Sequence, residues 1–365
     1  MRRLISFRDF DWLLLTFVLI ICALGVLEIY STTYGTKFAG AHIRQIYWIL
    51  AGLVVMLAVS LINYQILLEN ANWLYFASVA SLLMVALFGK KYLGARRWIQ
   101  LPGGQHFQPS EWVKLVLILM LAKHFSGQGE REDASLSDIV RAGLIAGVPM
   151  LLVLKQPDLG TALTYVPVAL MGLFLGGIQF RHAAAILLVA GVLMPAVWHY
   201  GLKPYQKDRL TSFLHPEADS QKTGYQLEQS KIAVGSGGIW GKGVRKGSQT
   251  QGSFLPEPHT DFIFAAWSEE HGFVGAVALL LLYFMVLMRL IHNAQTAPDS
   301  AGGFVVMGVV AVLLFHILVN AGMVVGFMPV TGIPLPLMSY GGSSVLFMFL
   351  ALGIVMNIRM RRFVN

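Results

Sequence analysis

About ten apolar, charge-poor runs divide this chain, and each approaches the roughly 20 residues that a helix needs to cross a membrane. Nothing else in the sequence restricts the fold as strongly, because a backbone in lipid must satisfy its own hydrogen bonds within helices or a closed barrel. Only 13% of the side chains are charged and 56% are hydrophobic, whereas a soluble domain is about 25% charged. The runs cover residues 12–32, 44–63, 72–89, 111–125, 138–154, 159–178, 182–200, 263–291, 303–325 and 338–357.

This pattern predicts an all-α polytopic membrane protein with about ten transmembrane helices in a single domain, residues 1–365. It excludes an ordinary soluble enzyme, a disordered chain and a fibrous repeat. Three arginines lie within the first eight residues and three more lie within residues 359–362. Basic flanks stay on the cytoplasmic side, so an even number of spans places both termini in the cytoplasm. The first run is interpreted as a retained signal-anchor, because nine further runs follow it.

The connection 201–261, between predicted helices 7 and 8, is then extracytoplasmic, and loops of this length are usually functional or disordered. The chain carries 27 basic and 19 acidic side chains, a net charge of +8. Some of the basic residues would lie in short outer loops, against the positive-inside rule. Either the number of spans is wrong, or these cations serve an anionic ligand. They are Lys90, Lys91, Arg96, Arg97 and Lys155.

A glycine-rich, basic segment lies in this long connection, at residues 231–256. It contains seven glycines, four cations and no acidic residue. Glycines allow a backbone to approach a ligand closely, and successive N–H groups can point at one anion. The segment therefore suits a phosphate, although composition alone favours a solvated flexible loop with incidental cations. It matches neither a P-loop nor a dinucleotide-binding fingerprint. Its cations are Lys231, Lys242, Arg245 and Lys246.

Ionisable side chains near membrane depth are costly to bury and often functional. Glu111 and Lys114 are three residues apart on one helix face, either as a neutralising pair or as a pair facing a polar cavity. Asp158 is favoured as a structural helix cap. Asp261 precedes the eighth span, where it is either an N-cap or a functional acid on the outer aqueous side. Three prolines and three glycines interrupt residues 329–344, which we interpret as a packing element near a site.

Six motifs, spread in order over essentially the whole chain, resemble the SEDS family of peptidoglycan glycan polymerases. The short N-terminus and the total length are more similar to its RodA-like elongation members than to its FtsW-like division members. Some relatives carry an acid immediately before FLPE, where this chain has Ser253, so no role is assigned there. The motifs are GARRWI (94–99), QPSEWVKL (108–115), KQPDLGTAL (155–163), GYQLEQSKIAVGSGGIWGKG (224–243), FLPEPHTDFIFA (254–265) and PVTGIPLPLMSYGGSS (329–344).

The resemblance implies a ten-span fold with both termini cytoplasmic and a large loop between helices 7 and 8. It implies polymerisation of lipid II at the outer face of the bacterial inner membrane, for cell elongation and rod shape. The implied partners are lipid II, glycan linked to undecaprenyl pyrophosphate, a class B penicillin-binding protein and the membrane, with no nucleic acid. The family's essential aspartate corresponds to Asp261, its cavity-lining pair to Glu111 and Lys114, and a further acid to Asp158.

The expected reaction joins two sugars. A GlcNAc 4-hydroxyl attacks an anomeric carbon, so it needs a base, for which Asp261 is the candidate. The leaving pyrophosphate needs cations rather than a general acid. Lys114 is the first candidate for contacting phosphate. With it, the substrate-binding set is Glu111, Arg96, Arg97, Asp158, Lys242, Arg245 and Lys246.

No cofactor is certain, although a divalent cation, Mg or Mn, would suit the pyrophosphate. The ten histidines show no ligand spacing such as HExxH and Cys22 is the single cysteine, so no dedicated metal site is predicted. A flippase of lipid-linked precursors is the alternative function, and a non-catalytic scaffold is a further one. A flippase should need charged groups on both sides, whereas here they are concentrated outside.

Overall fold

The computed structural model describes residues 9–89, 97–100, 106–127, 133–214 and 223–362. In these ranges the chain forms fifteen α-helices and one two-stranded antiparallel sheet, β1 (Ile99–Gln100) with β2 (His106–Phe107). The helices are α1 (Trp12–Thr33), α2 (Ala41–Leu61), α3 (Tyr64–Glu69), α4 (Ala71–Phe88), α5 (Pro109–Ser126), α6 (Leu136–Lys155), α7 (Leu159–Leu163), α8 (Tyr165–Leu175), α9 (Phe180–Ala196), α10 (Pro204–Leu214), α11 (Thr223–Ser236), α12 (Ser248–Gln251), α13 (Ile263–Gln295), α14 (Ser300–Val325) and α15 (Gly342–Met360).

Eight helices of the described part are long and apolar enough to cross a membrane: α1, α2, α4, α6, α9 with the π-helical turn Val197–Gly201, α13, α14 and α15. Two more helical stretches occupy the remaining predicted spans. One is α5, which carries three charged residues, and the other is the shorter apolar stretch Leu159–Leu175, made of α7 and α8. The all-α membrane fold is confirmed, while the number of crossings and the single domain stay predictions.

Ion pairs and a hydrogen bond between helices show how the helices are oriented relative to one another. At one end of the bundle, the carboxylate of Asp11 before α1 binds Arg289 of α13 and Arg359 of α15. At the opposite end of α1, the Ser31 hydroxyl donates to a carboxylate oxygen of Glu270, at 2.5 Å. The first and last described residues therefore lie together at one end, as the sequence predicts. Their cytoplasmic location stays a prediction.

The core lies where α5, α13, α14 and α15 meet. Helix α14 is apolar on all sides and packs against α5, α8, α11 and α13, as expected of a helix at the centre of a bundle. Small residues allow close approach elsewhere, as where Gly52 of α2 lies against the Phe349 ring of α15. By contrast, α9 has no buried residue.

The described residues of the long connection, 201–214 and 223–261, include three helices. These are α10, α11 and α12, and α11 packs on α13 and α14. Leu227 and Ala233 of α11 are buried, and the Ser230 hydroxyl donates to the carbonyl of Val324 at 3.0 Å. The described part of this connection is therefore an ordered layer over one end of the bundle.

Helix α13 is broken at Gly272, whose φ of 67° and ψ of −166° are non-helical. A break leaves carbonyls and N–H groups without helical partners, and the glycine-rich segment supplies replacements. Four backbone hydrogen bonds cross the break: Lys242 N–H to Glu269 O (3.1 Å), Gly243 N–H to Glu270 O (2.8 Å), Phe273 N–H to Gly238 O (2.8 Å) and Val274 N–H to Ile239 O (3.1 Å). The segment thus completes the hydrogen bonding of both halves of α13.

Candidate active site

The backbone around Asp261 is held by three successive carbonyl groups. The carbonyl of His259 accepts from the N–H of Tyr340 (2.9 Å), that of Thr260 from the Ser339 hydroxyl (2.7 Å), and that of Asp261 from the Asn320 amide (2.8 Å). The N-cap of α13 is the next residue, Phe262, without a side-chain capping bond. The interpretation of Asp261 as an N-cap is therefore wrong, and its carboxylate is available for other contacts.

The Asp261 carboxylate faces the irregular segment at residues 331–333. A Cβ on Gly332, whose φ is +73°, would lie 3.2 Å from Oδ2 of Asp261. The carbonyl of Thr331 accepts a hydrogen bond from Nη1 of Arg209 at 2.8 Å. It also lies against Gly160 of α7, where a Cβ would be only 2.6 Å from it. Helices α7 and α10 and the start of α13 therefore meet at this segment.

The electrostatic surroundings place the titration of Asp261 near neutral pH. Burial raises its pKa to about 6, and the carboxylates of Glu257 and Asp158 act in the same direction while Arg209 opposes them. The N-terminus of α13 does not outweigh the burial. A carboxyl group with such a pKa is mostly ionised at pH 7 and is a stronger base than an ordinary aspartate.

Asp158 joins several elements on the same side of the bundle. Its Oδ1 caps α7 by accepting from the Thr161 N–H (3.2 Å), so its prediction as a helix cap is confirmed. Its Oδ2 accepts from the Gln108 amide at 2.9 Å, and Arg97 lies 3.8 Å from Oδ1. The side chain of Arg97 keeps 27% of its surface exposed, so this cation can also meet a ligand. Arg96 lies outside the described residues.

Glu111 and Lys114 form a buried ion pair inside the bundle. The ammonium lies 2.9 Å from Oε2 of Glu111 and 3.3 Å from Nε2 of His316, and 4.4 Å above the ring of Phe347. Lys114 has no exposed surface. The structure therefore shows a neutralising pair. Contact of either residue with substrate stays a prediction.

The cations of the glycine-rich segment form a second cluster with acidic residues from α13. Lys242 binds the buried Glu269 at 2.8 Å and donates to two serine hydroxyls. The guanidinium of Arg245 lies 3.4 Å from the centre of the Tyr34 ring, and the backbone N–H of Arg245 donates to the Glu270 carboxylate at 3.1 Å. Glu269 is eight residues beyond Asp261, about 12 Å along a helix. Phosphate binding by Lys242, Arg245 and the exposed Lys246 stays a prediction.

The glycines of this segment approach the backbone of α13, which differs from the ligand-facing role that the sequence suggested. A Cβ on Gly237 would lie 2.1 Å from the Ser268 carbonyl, and one on Gly241 would lie 2.2 Å from the Glu270 carbonyl. Sequence composition showed that the segment contains no acid, but it could not show that Glu269, an acid of another element, pairs with Lys242.

Gly241→Ala should therefore destabilise the protein. A Cβ at a φ of +80° is strained and clashes with the Glu270 carbonyl, and such effects cost about 2–4 kcal/mol together. The matched control is Gly235→Ala in α11, where no atom lies within 4 Å of the added Cβ. The midpoint of thermal unfolding of the purified protein should fall for Gly241→Ala and stay equal or rise for Gly235→Ala. Equal midpoints for both variants would contradict this packing role.

The sequence interpretation missed some residues at this site. Asn320 and His316 lie one turn apart in an otherwise apolar span, and that polar pair was an available signal. Gln108 stands within a quoted motif but was not singled out. No sequence pattern near Arg209 indicates a role at this site, because only folding brings α10 to residues 331–333.

Metal ligands are sparse in the described ranges, which contain no group of three or more His, Cys, Asp or Glu side chains placed to hold a metal ion. Asp261 and Asp158 are carboxylates that a divalent cation could share with the phosphates of a ligand. A role for Mg or Mn stays a prediction.

Comparison with known proteins identifies the family. The model of the FtsW/RodA/SpoVE family, described as cell cycle protein, matches residues 11–363. The chain belongs to this family. Membership confirms the resemblance to SEDS proteins, which rested on six motifs.

Two curated relatives carry this similarity over nearly the whole chain. Peptidoglycan glycosyltransferase MrdB of Escherichia coli (strain K12) is 39% identical over 95% of this chain and 93% of its own length. Peptidoglycan glycosyltransferase RodA of Treponema pallidum (strain Nichols) is 34% identical over 99% of this chain and its entire length.

Solved structures of the family share the fold. A chain from a structure described as a peptidoglycan synthase complex, which coordinates polymerization and crosslinking, aligns with a TM-score of 0.83 at 34% identity, covering 98% of this chain and 99% of that chain. The crystal structure of Thermus thermophilus rod shape determining protein RodA aligns with a TM-score of 0.73 at 30% identity, covering 98% of each chain.

Proposed function

We propose that this chain polymerises lipid II into glycan strands at the outer face of the bacterial inner membrane, for cell elongation and rod shape. Family membership and relatives at 34–39% identity over most of the chain make it a multi-pass peptidoglycan glycosyltransferase. The observation that carries the catalytic proposal is Asp261. Its carboxylate has a pKa of about 6 and lies within electrostatic reach of Arg209. It faces residues 331–333, which also contact α7, the helix capped by Asp158, and Asp158 pairs with Arg97.

In the proposed reaction, Asp261 accepts the proton of a GlcNAc 4-hydroxyl as its oxygen bonds to the anomeric carbon of a second sugar. The bond between that carbon and the pyrophosphate oxygen breaks, and undecaprenyl pyrophosphate leaves with the electron pair. Arg97 and Arg209 are the described cations best placed to stabilise the charge on the leaving group. The carboxylates of Asp261 and Asp158 would hold a divalent cation, which would supply further charge stabilisation.

The proposed partner is a class B penicillin-binding protein whose transpeptidase crosslinks the new strands. Its support is the similarity to a chain of a peptidoglycan synthase complex. The prenyl tail of lipid II would remain in the bilayer while its head group reaches Asp261. The elongation role rests on the similarity to relatives named RodA.

The proposed base predicts an acid limb in the pH profile of kcat/KM for lipid II. Only the ionised carboxylate accepts a proton, so the rate should be half-maximal at about pH 6 and fall about tenfold per unit below it. Glu257→Gln removes a charge that raises the pKa of Asp261, so the limb should move to lower pH. Arg209→Gln removes a charge that lowers this pKa, so the limb should move to higher pH. If neither substitution moves the acid limb of the kcat/KM profile, a group other than Asp261 is responsible for it.

The test of function compares polymerisation with transport. Purified protein with its class B partner, whose transpeptidase is blocked, receives purified lipid II, and the glycan products are separated by length. The polymerase proposal expects long chains. If no chains form but vesicles containing the protein carry lipid II across their bilayer, the flippase alternative replaces it. If neither occurs, a scaffold is the remaining function.

A further inference from the structure

The irregular segment 333–336 obtains its hydrogen bonds from side chains of neighbouring helices. Two of these four residues are prolines, which have no N–H, and the segment is not helical, so its carbonyls need other partners inside the bundle. Three of the four carbonyls receive side-chain donors, while the Leu335 carbonyl accepts from the backbone N–H of Ser339 at 2.9 Å. The Ile333 carbonyl accepts from Asn320 (2.8 Å), the Pro334 carbonyl contacts Nδ1 of His316 (3.1 Å), and the Pro336 carbonyl accepts from the Tyr283 hydroxyl (2.6 Å).

The contacts of His316 determine which ring nitrogen carries its proton. An ammonium group has donors and no acceptor, so the Lys114 Nζ at 3.3 Å requires Nε2 of His316 to accept. The other nitrogen, Nδ1, then carries the hydrogen and donates it to the carbonyl of Pro334. Lys114 therefore selects the tautomer in which His316 can hold this segment.

One turn further along α14, Asn320 connects the same segment to Asp261. Its side-chain nitrogen donates to the carbonyl of Asp261 and to that of Ile333, each at 2.8 Å. His316 and Asn320 thus hold neighbouring carbonyls, and the second of them also holds the backbone of the proposed base. Gly332, which faces the Asp261 carboxylate, directly precedes these two anchored residues in the chain.

The surroundings of Lys114 leave little opportunity for direct contact with a phosphate. Its ammonium is fully buried and has three neighbours, one for each of its N–H bonds. They are the Glu111 carboxylate, the His316 ring nitrogen and the Phe347 ring. A phosphate would have to displace one of these partners and lose its own hydration inside the bundle.

We infer that Lys114 and His316 are positioning residues. They act through the Pro334 carbonyl to hold residues 331–334 in place beside Asp261. This inference rests on the proposed function. It differs from the sequence-based prediction of Lys114 as a phosphate ligand, because a ligand would change substrate affinity. Displacement of residues 331–334 changes the placement of the acceptor hydroxyl relative to the base. A shift of about 1 Å at a reacting centre can cost about 10²-fold in rate.

The test begins with two substitutions of His316 that leave the Glu111–Lys114 pair intact. His316→Gln retains one acceptor for Lys114 and one donor for Pro334, whereas His316→Leu retains neither. We expect His316→Leu to lower kcat by about 10- to 100-fold with KM for lipid II within about twofold of wild type. His316→Gln should recover most of kcat. Unfolding midpoints and complex formation with the partner are measured alongside, since a merely structural role would lower stability without this division between kcat and KM.

The second part examines whether Lys114 acts through His316. Glu111→Gln/Lys114→Met removes the pair without leaving a buried unpaired charge, and wild type is its reference. We expect the effect of this double substitution to fall on kcat and to disappear in a His316→Leu background. The inference would be overturned if loss of Lys114 raised KM or if His316→Leu kept wild-type kcat. It would also be overturned if the effects of the Lys114 and His316 substitutions multiplied. A wild-type protein that makes no glycan would overturn the proposed function, and this inference with it.

Discussion

Asp261→Asn is expected to lower the rate of glycan polymerisation by about 10²- to 10⁴-fold, the usual contribution of a general base. Asparagine keeps the size of the side chain, but its amide cannot accept the proton of a sugar hydroxyl. The substitution should not disturb the fold, because the contacts of Asp261 with Asn320 are made by its backbone carbonyl. The measurement is glycan chain formation from purified lipid II, with the partner present and its transpeptidase blocked.

The matched control is Glu228→Gln, which replaces an exposed acid on α11 in the same long connection. It should retain wild-type activity, so any loss in Asp261→Asn reflects the position rather than the removal of one acidic charge. Both variants should bind the partner as the wild type does. If Asp261→Asn makes long chains at the wild-type rate, the base is elsewhere and the site must be reassigned.

The second large effect is expected at the opposite end of the bundle, from Asp11→Ala. The carboxylate of Asp11 is 1% exposed and binds Arg289 (2.9 Å), Arg359 (3.1 Å) and the amide of Asn293 (2.9 Å). Removing one partner of a buried ion pair leaves an uncompensated charge, here on Arg359, and typically costs about 3–5 kcal/mol. The free energy of unfolding of the purified protein should fall by that amount.

Asp9→Asn is the control for this loss. Asp9 lies beside the same end of the bundle and pairs with Arg362 at 3.1 Å, but both side chains keep about a quarter of their surface exposed, 25% and 23%. Partly solvated pairs contribute only about 0–1 kcal/mol. Equal losses in Asp9→Asn and Asp11→Ala would show that burial of the Asp11 network does not determine its contribution.

Much of the architecture could be predicted from the sequence, because hydropathy is a local property. The described helices occupy all ten apolar runs, and this includes α5, although Glu111, Lys114 and Lys123 interrupt its apolar pattern. The helix cap at Asp158 was predicted from local residues and is confirmed. The family was identified from motifs, and Asp261 was selected by its place in one of them.

The sequence by itself thus determined the membrane class, the helices and the candidate base, since each depends on residues close together in the chain. Only the tertiary structure decided what surrounds that base. The pKa of Asp261 depends on burial, on Asp158 and on Arg209, which lie on separate elements. The glycine-rich segment has four cations and no acid in its own sequence, but in the folded chain Glu269 of α13 binds Lys242. Charges act through space, so their partners and their effects on one another become visible only when the chain has folded.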